Sequence, residues 1–200
     1  MSPLHREPPS GPPRLSPPDV VGDEVASDLE KTRIGDAPAP LVFQTLAHHP
    51  RLMRRMNALG GAFMRSEHVD ARAREVVILR IAWRAGCAYE LAQHVPIGRA
   101  AGLAVDEIVA IVGGDPMVLP AREQLLVRLA DALEDRVAID DAMYEELSAG
   151  WPTEGVLELL ALAGFYRMLA GVLNGLRVPI DAWLREDDSW DTSKGLLAVD

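Results

Sequence analysis

Cys87, Glu90 and His94 stand at i, i+3 and i+7. At 100° per residue a helix would direct them to about 0°, 300° and 340° around its axis, within one narrow arc. A thiol, a carboxylate and an imidazole on one face are the parts of an activated nucleophile or a proton relay. The carboxylate can orient the imidazole, and the imidazole can take a proton from the thiol or from a substrate. The same spacing also fits a solvated Glu90–His94 pair beside a small core cysteine, and spacing does not separate the two. Gly86 immediately precedes Cys87. If the chain breaks there, Cys87 falls in the first turn of a new helix, where unpaired N–H groups and the macrodipole favour a thiolate. Glu75 is a fourth candidate, because it abuts the run Val76-Val77-Ile78-Leu79, an environment in which a carboxylate is costly unless paired or put to use. A helix unbroken from Asp70 to Gly102 would leave Glu75 about 18 Å from Cys87 along the axis and on another face. Convergence therefore requires a reversal at Gly86.

The elements that must position these residues read as helices throughout. Leu41 to Ala47 and Pro50 to about Met64 form two short ones, the second carrying Leu52, Met56, Leu59 and Phe63 at three- and four-residue spacing. Asp70 is an N-cap for a segment to Ala85, Gly86 ends it, and Cys87 begins another that closes at Gly102. Asp106 to Val112, Leu119 to Glu134, Asp140 to Ala149 and Thr153 to Leu176 complete the series, separated by Gly- and Pro-containing breaks. No stretch alternates as a strand would. Pro96 lies inside its helix and is expected to bend it beside His94.

Composition supports an all-α domain. The 200 residues are 48% hydrophobic but only 5% aromatic, so the core must be built from Ala, Leu, Val and Ile, which suits closely packed helices. Residues 1–22, with seven prolines before Val20, read as a disordered arm, the alternative being an extended segment laid across a neighbouring subunit of an oligomer. Residues 23–185 form the helical domain and 186–200 a polar C-terminal tail. One cysteine excludes an intramolecular disulfide and a Cys-rich zinc site. A net charge of -10 with scattered arginines argues against nucleic acid. The amino-terminal stretch lacks the apolar run of a secretory signal, and no segment reads as apolar for long enough to span a bilayer, so a cytoplasmic location without a membrane partner is expected.

Arg74-Glu75-Val76-Val77-Ile78-Leu79-Arg80, Trp83-Arg84-Ala85-Gly86-Cys87-Ala88-Tyr89-Glu90, Gln93-His94-Val95 and Ala100-Ala101-Gly102-Leu103 together resemble the carboxymuconolactone decarboxylase family, which includes the AhpD-like alkylhydroperoxidases. The resemblance runs from about Leu41 to Trp183, taking in Phe165-Tyr166-Arg167, Asn174, Val178-Pro179 and Asp181. It implies an AhpD-like helical bundle that self-associates as a trimer or hexamer, and a small-molecule substrate. In the peroxidase branch the motif is a Glu, a Cys twelve residues on, a second Cys three further and a His four beyond. Glu75, Cys87 and His94 are in register, but Glu90 stands where the second cysteine would be. A carboxylate cannot resolve a sulfenic acid, so a two-cysteine cycle within one chain is excluded. Three readings stay open: cofactor-independent acid–base chemistry on a small carbonyl, lactone or carboxylic acid, a one-cysteine peroxidase using an external thiol reductant, and a non-catalytic oligomeric scaffold. In the first, His94 is the acid or base, Glu90 orients it and Glu75 shuttles protons.

The remaining candidates carry less. Trp83 and Tyr89 flank the site in sequence and are candidate substrate-binding residues, with core packing as the alternative. Arg80 and Arg84 could receive an acidic substrate or simply be solvated. His48-His49 before Pro50 reads as a helix-end pair. Glu75, Glu90 and His94 could make a metal set, but the Glu-x-x-His motif of helical-bundle metal sites is not there and the resemblance implies no metal or cofactor.

Overall fold

The structure, a computed structural model, describes residues 6–33 and 35–185. The chain runs through ten α-helices in this range: α1 (Asp23–Glu30), α2 (Leu41–Leu46), α3 (Pro50–Met64), α4 (Ala71–Arg84), α5 (Ala88–Ala100), α6 (Val105–Val112), α7 (Ala121–Arg136), α8 (Asp141–Gly150), α9 (Thr153–Leu176) and α10 (Ala182–Arg185). A single 3-10 turn spans Pro116–Val118, and no strand occurs among the described residues. The expected boundaries from Leu41 to Leu176 agree with these to within a few residues. Helix α1 and the 3-10 turn carry no periodic apolar pattern long enough to read.

Local chemistry sets the ends. Asp70 accepts from the Ala73 N–H at 2.9 Å and starts α4, and Asp140 accepts from Met143 N–H at 3.0 Å and starts α8. Pro50 occupies the first position of α3 while His49 Nδ1 accepts from Leu52 N–H at 3.3 Å, so this histidine is a helix cap. At the other end of α4, Gly86 takes φ +62°. Cys87 N–H bonds the Ala82 carbonyl at 2.9 Å and Gly86 N–H bonds that of Trp83 at 3.0 Å, the paired bonds of a Schellman turn. The chain reverses there, and α5 runs back along α4.

Helix α4 is the centre of the molecule, packed against α5, α6, α7 and α9. Every residue from Ala73 to Arg84 is buried, which is why its arginines must be paired. Arg80 donates to both oxygens of Asp131 at 2.8 Å and to the Ile111 carbonyl at 2.9 Å. Arg84 reaches Asp131 at 2.7 Å and Asp135 at 2.5 Å. Neither arginine is left to receive a substrate; both tie α4 to α7.

The expectation that no segment is apolar for long enough to span a bilayer is corrected by α9. Residues 1–5 of the expected arm lie outside the described residues, and residues 6–22 run along the helices as a strap. Arg6 N–H and its guanidinium both donate to the Arg84 carbonyl, at 3.3 and 3.1 Å. Arg14 N–H bonds the Leu176 carbonyl at 2.9 Å, and the Ser16 carbonyl meets His48 Nε2 at 2.8 Å. Proline fixes this stretch extended, and the free carbonyls at helix ends supply it with partners. Helix α9, 24 residues, is long and apolar enough by length and composition to cross a membrane. Leu159, Leu162, Phe165 and Leu173 on its inner face are buried against the other helices, as in a core helix. Pro96 sits within α5, which continues to Ala100. The tail, residues 186–200, lies outside the described residues.

Candidate functional site

The reversal at Gly86 brings Glu75 of α4 alongside His94 of α5. Gly98, one turn beyond His94, lets the helices approach: a Cβ there would stand 3.1 Å from Leu103, 3.3 Å from Leu79 and 3.7 Å from Glu75 Cβ. Glu75 Oε2 lies 2.7 Å from His94 Nδ1. Its Oε1 accepts from Arg74 Nε at 3.0 Å, and Glu75 is fully buried. A carboxylate so placed takes a hydrogen bond from Nδ1–H, which leaves the lone pair on Nε2 and makes that nitrogen the base. The imidazole is braced from the side by Tyr166 of α9, edge-on at 5.0 Å between centroids and 87° between planes. It is Glu75, across the helix pair, that orients His94; the expectation that Glu90 does so is corrected, because Nδ1 is already taken.

Glu90 has a different environment. It is buried, and neither carboxyl oxygen has a hydrogen-bond partner among the described residues. Burial pushes its pKa well above the ordinary carboxylate range, the buried Glu134 carboxylate adds to this, and Cys87 and the Arg167 cation pull the other way. The Cys87 thiol lies beside this carboxyl, close enough for each to act on the other's acidity but short of hydrogen-bond geometry.

Cys87 is the N-cap of α5 and fully buried. Burial, then the neighbouring Glu90 carboxyl, raise its pKa well above that of a free thiol; the N–H groups of Tyr89 and Glu90 at the helix start oppose this and lose. The thiolate expected from the helix N-terminus is therefore corrected: a dipole acts over one turn, whereas desolvation acts on the whole side chain.

His94, Glu90, Tyr89 and Tyr166 line one cavity of about 560 Å³, whose other walls are largely apolar and come from α2, α3, α5 and α9, with residues 31–33 at its edge. Tyr89 lends its ring, but its hydroxyl is committed: it donates to Asp181 Oδ2 at 2.6 Å and accepts from Val42 N–H at 3.1 Å. Asp181 also accepts from Leu41 N–H at 2.9 Å and Gln93 Nε2 at 2.6 Å, so this carboxylate pins the start of α2 to α5. Trp83 is not on the cavity. Its ring packs at Gly113, where a Cβ would stand 2.7 Å from it, so its expected substrate contact is corrected to a core role. No group of three or more His, Cys, Asp or Glu that could hold a metal ion occurs among the described residues. Sequence reasoning missed Arg74 and Tyr166 as supports of the site, although both lie in the stretches that carry the family resemblance.

Residues 50–132 match the model of the carboxymuconolactone decarboxylase family. No curated protein matches the sequence. Among solved structures, the chain is similar to an uncharacterized peroxidase-related protein from Silicibacter sp. TM1040, at 19% identity and TM-score 0.78 over 90% of this chain and 97% of that one. It is also similar to the alkylhydroperoxidase AhpD core of a peroxidase-related protein from Ralstonia eutropha JMP134, at 18% identity and TM-score 0.77 over 88% and 96%. The debrominase Bmp8, solved in complex with 2,3,4-tribromopyrrole, is 16% identical with TM-score 0.68 over 91% and 96%. At these identities the likeness is one of fold.

Proposed function

We propose, from the match of residues 50–132 to the carboxymuconolactone decarboxylase family, that the chain is a member of that family and a cofactor-independent acid–base enzyme acting on a carbonyl, lactone or carboxylic acid substrate. The observation that carries this is the Glu75 to His94 Nδ1 contact at 2.7 Å, with His94 on the cavity wall. His94 Nε2 removes a proton from carbon next to the substrate carbonyl. Glu90, on the same cavity and held protonated by burial, donates to the oxygen on which charge develops. Two groups with opposed protonation states beside one cavity are what such a reaction needs. Glu75 is a positioning residue, acting through the imidazole. Assembly as a trimer or hexamer is part of the same proposal, and sedimentation would test it.

A one-cysteine peroxidase is the competing reading. The descriptions of the structural neighbours favour it, and the burial and raised pKa of Cys87 oppose it. Variants separate the two. Acid–base chemistry predicts that His94→Ala loses turnover and Cys87→Ser retains most of it. Glu75→Gln should lower kcat by about a hundredfold or more with KM little changed, as the wrong tautomer is then favoured. Peroxide consumption abolished by Cys87→Ser and a trapped sulfenic acid would reverse the assignment.

A further inference from the structure

The cavity's charge runs against that of the chain, and this bears on what the acid–base site admits, so the inference rests on that reading. The sequence holds 30 acidic and 20 basic residues, yet the ionisable groups on the cavity besides His94 and Tyr are Lys31, Arg33, Arg65 and a single carboxyl, Glu90, which burial keeps neutral. Lys31 and Arg33 are in ion pairs with Asp28 and Glu30. Arg65 has no ion pair among the described residues. Its guanidinium folds back over α3, with Nη1 3.0 Å from where a Cβ of Gly61 would stand, and Gly61 is itself on the cavity. The backbone beside Arg65 is tied to the relay. The Arg74 guanidinium donates to the Met64 carbonyl at 3.4 Å and to Glu75 at 3.0 Å, so the residue next to Arg65 and the carboxylate behind His94 are one guanidinium apart.

The walls argue for size and polarity. About 560 Å³ lies in the range of cavities that enclose ligands much larger than a small lactone. Met56, Phe165 and Leu169 on those walls would strip water from a molecule polar along its length and return no hydrogen bonds. We propose that the substrate is an organic monoacid with a bulky apolar body, its carboxylate held by Arg65 and its body lodged among Met56, Phe165 and Leu169 within reach of His94. A guanidinium suits this task because it meets a carboxylate with two parallel N–H donors.

Titration with 2-naphthylacetate and with its neutral counterpart 2-naphthylacetamide, followed by naphthyl fluorescence, tests the proposal without turnover. The wild type is expected to bind the acid about tenfold more tightly than the amide. Arg65→Gln should bring that ratio near one while leaving amide affinity unchanged. Arg55→Gln, which removes the same charge from an exposed position of α3 away from the cavity, should preserve it. Equal affinities in the wild type, no binding of either probe, or a ratio that survives Arg65→Gln overturns the proposal. His94→Gln keeps the two readings apart, since acid binding should persist in it. Turnover that depends on His94 without an acid preference sinks only the monoacid assignment. An acid preference with turnover indifferent to His94 sinks only the acid–base reading.

Discussion

Glu75 and Glu90 are both buried carboxyls, one behind His94 and one on the cavity wall, and their partners give them opposite tasks. Glu75 has Arg74 on one oxygen and His94 on the other; Glu90 has no hydrogen bond on either among the described residues. A carboxyl left alone in an apolar interior keeps its proton. This has a consequence for stability with a definite sign. Between the ordinary carboxylate range and Glu90's raised pKa, the unfolded chain has released this proton and the folded chain still holds it. Stability therefore falls as pH rises through that window, by at most about 1.4 kcal/mol per pH unit from this group, and is fully retained below it. Urea midpoints of the wild type and Glu90→Gln, measured from pH 5 to 9, should diverge in favour of the variant as pH rises. Parallel curves would mean that Glu90 ionises in the folded state as readily as in water. If the acid role is right, Glu90→Gln should also lose kcat, so one substitution gains stability and loses activity.

At the scale of elements, the site depends on one turn. The left-handed conformation of Gly86 closes α4, starts α5 and leaves a notch that the strap fills: a Cβ on Gly86 would stand 2.1 Å from the Arg6 carbonyl oxygen. Gly86→Ala should cost about 1–2 kcal/mol for the backbone conformation alone, with a further loss from displacing the strap. A variant lacking residues 1–9 should recover that further part and not the first. Thermal unfolding of the four combinations checks this, and full recovery on truncation would show that the turn itself is unstrained by a side chain. The Asn174 amide, which donates to the Ala85 carbonyl at 3.0 Å, holds the same turn from α9.

Across the whole molecule, the strap closes the outside of the helix pair. Arg6 ties it to the Arg84 carbonyl and, at 2.7 Å, to Glu134, a carboxylate that also meets Arg167 of α9 at 2.7 Å. Three distant parts of the chain meet beside the turn that carries Cys87. Arg6→Ala should therefore raise the rate at which Cys87 reacts with an aromatic disulfide reagent about tenfold, as local opening becomes easier. Arg14→Ala, at the far end of the strap on α9, should have a smaller effect. An unchanged rate in Arg6→Ala would mean that the helices themselves, and not the strap, shield the thiol.

The sequence by itself determined the helices from Leu41 to Leu176 and the reversal at Gly86, because caps, glycine and a 3.6-residue period are local properties of the chain; of the three residues expected on one face, Glu90 and His94 line the cavity and Cys87, the N-cap before α5, does not. It also carried the family likeness, including the carboxyl at position 90. Only the tertiary structure decided that Glu75 and not Glu90 meets His94, that Trp83 turns away from the cavity, that Arg80 and Arg84 are consumed by Asp131 and Asp135, and that residues 6–22 lie against the fold. Periodicity reports which way a side chain points but not what stands across from it. Acidity and pairing depend on the surroundings that packing assembles from remote segments: the thiol of Cys87 has a helix start in its favour along the chain, and an apolar, carboxyl-bearing enclosure against it in space.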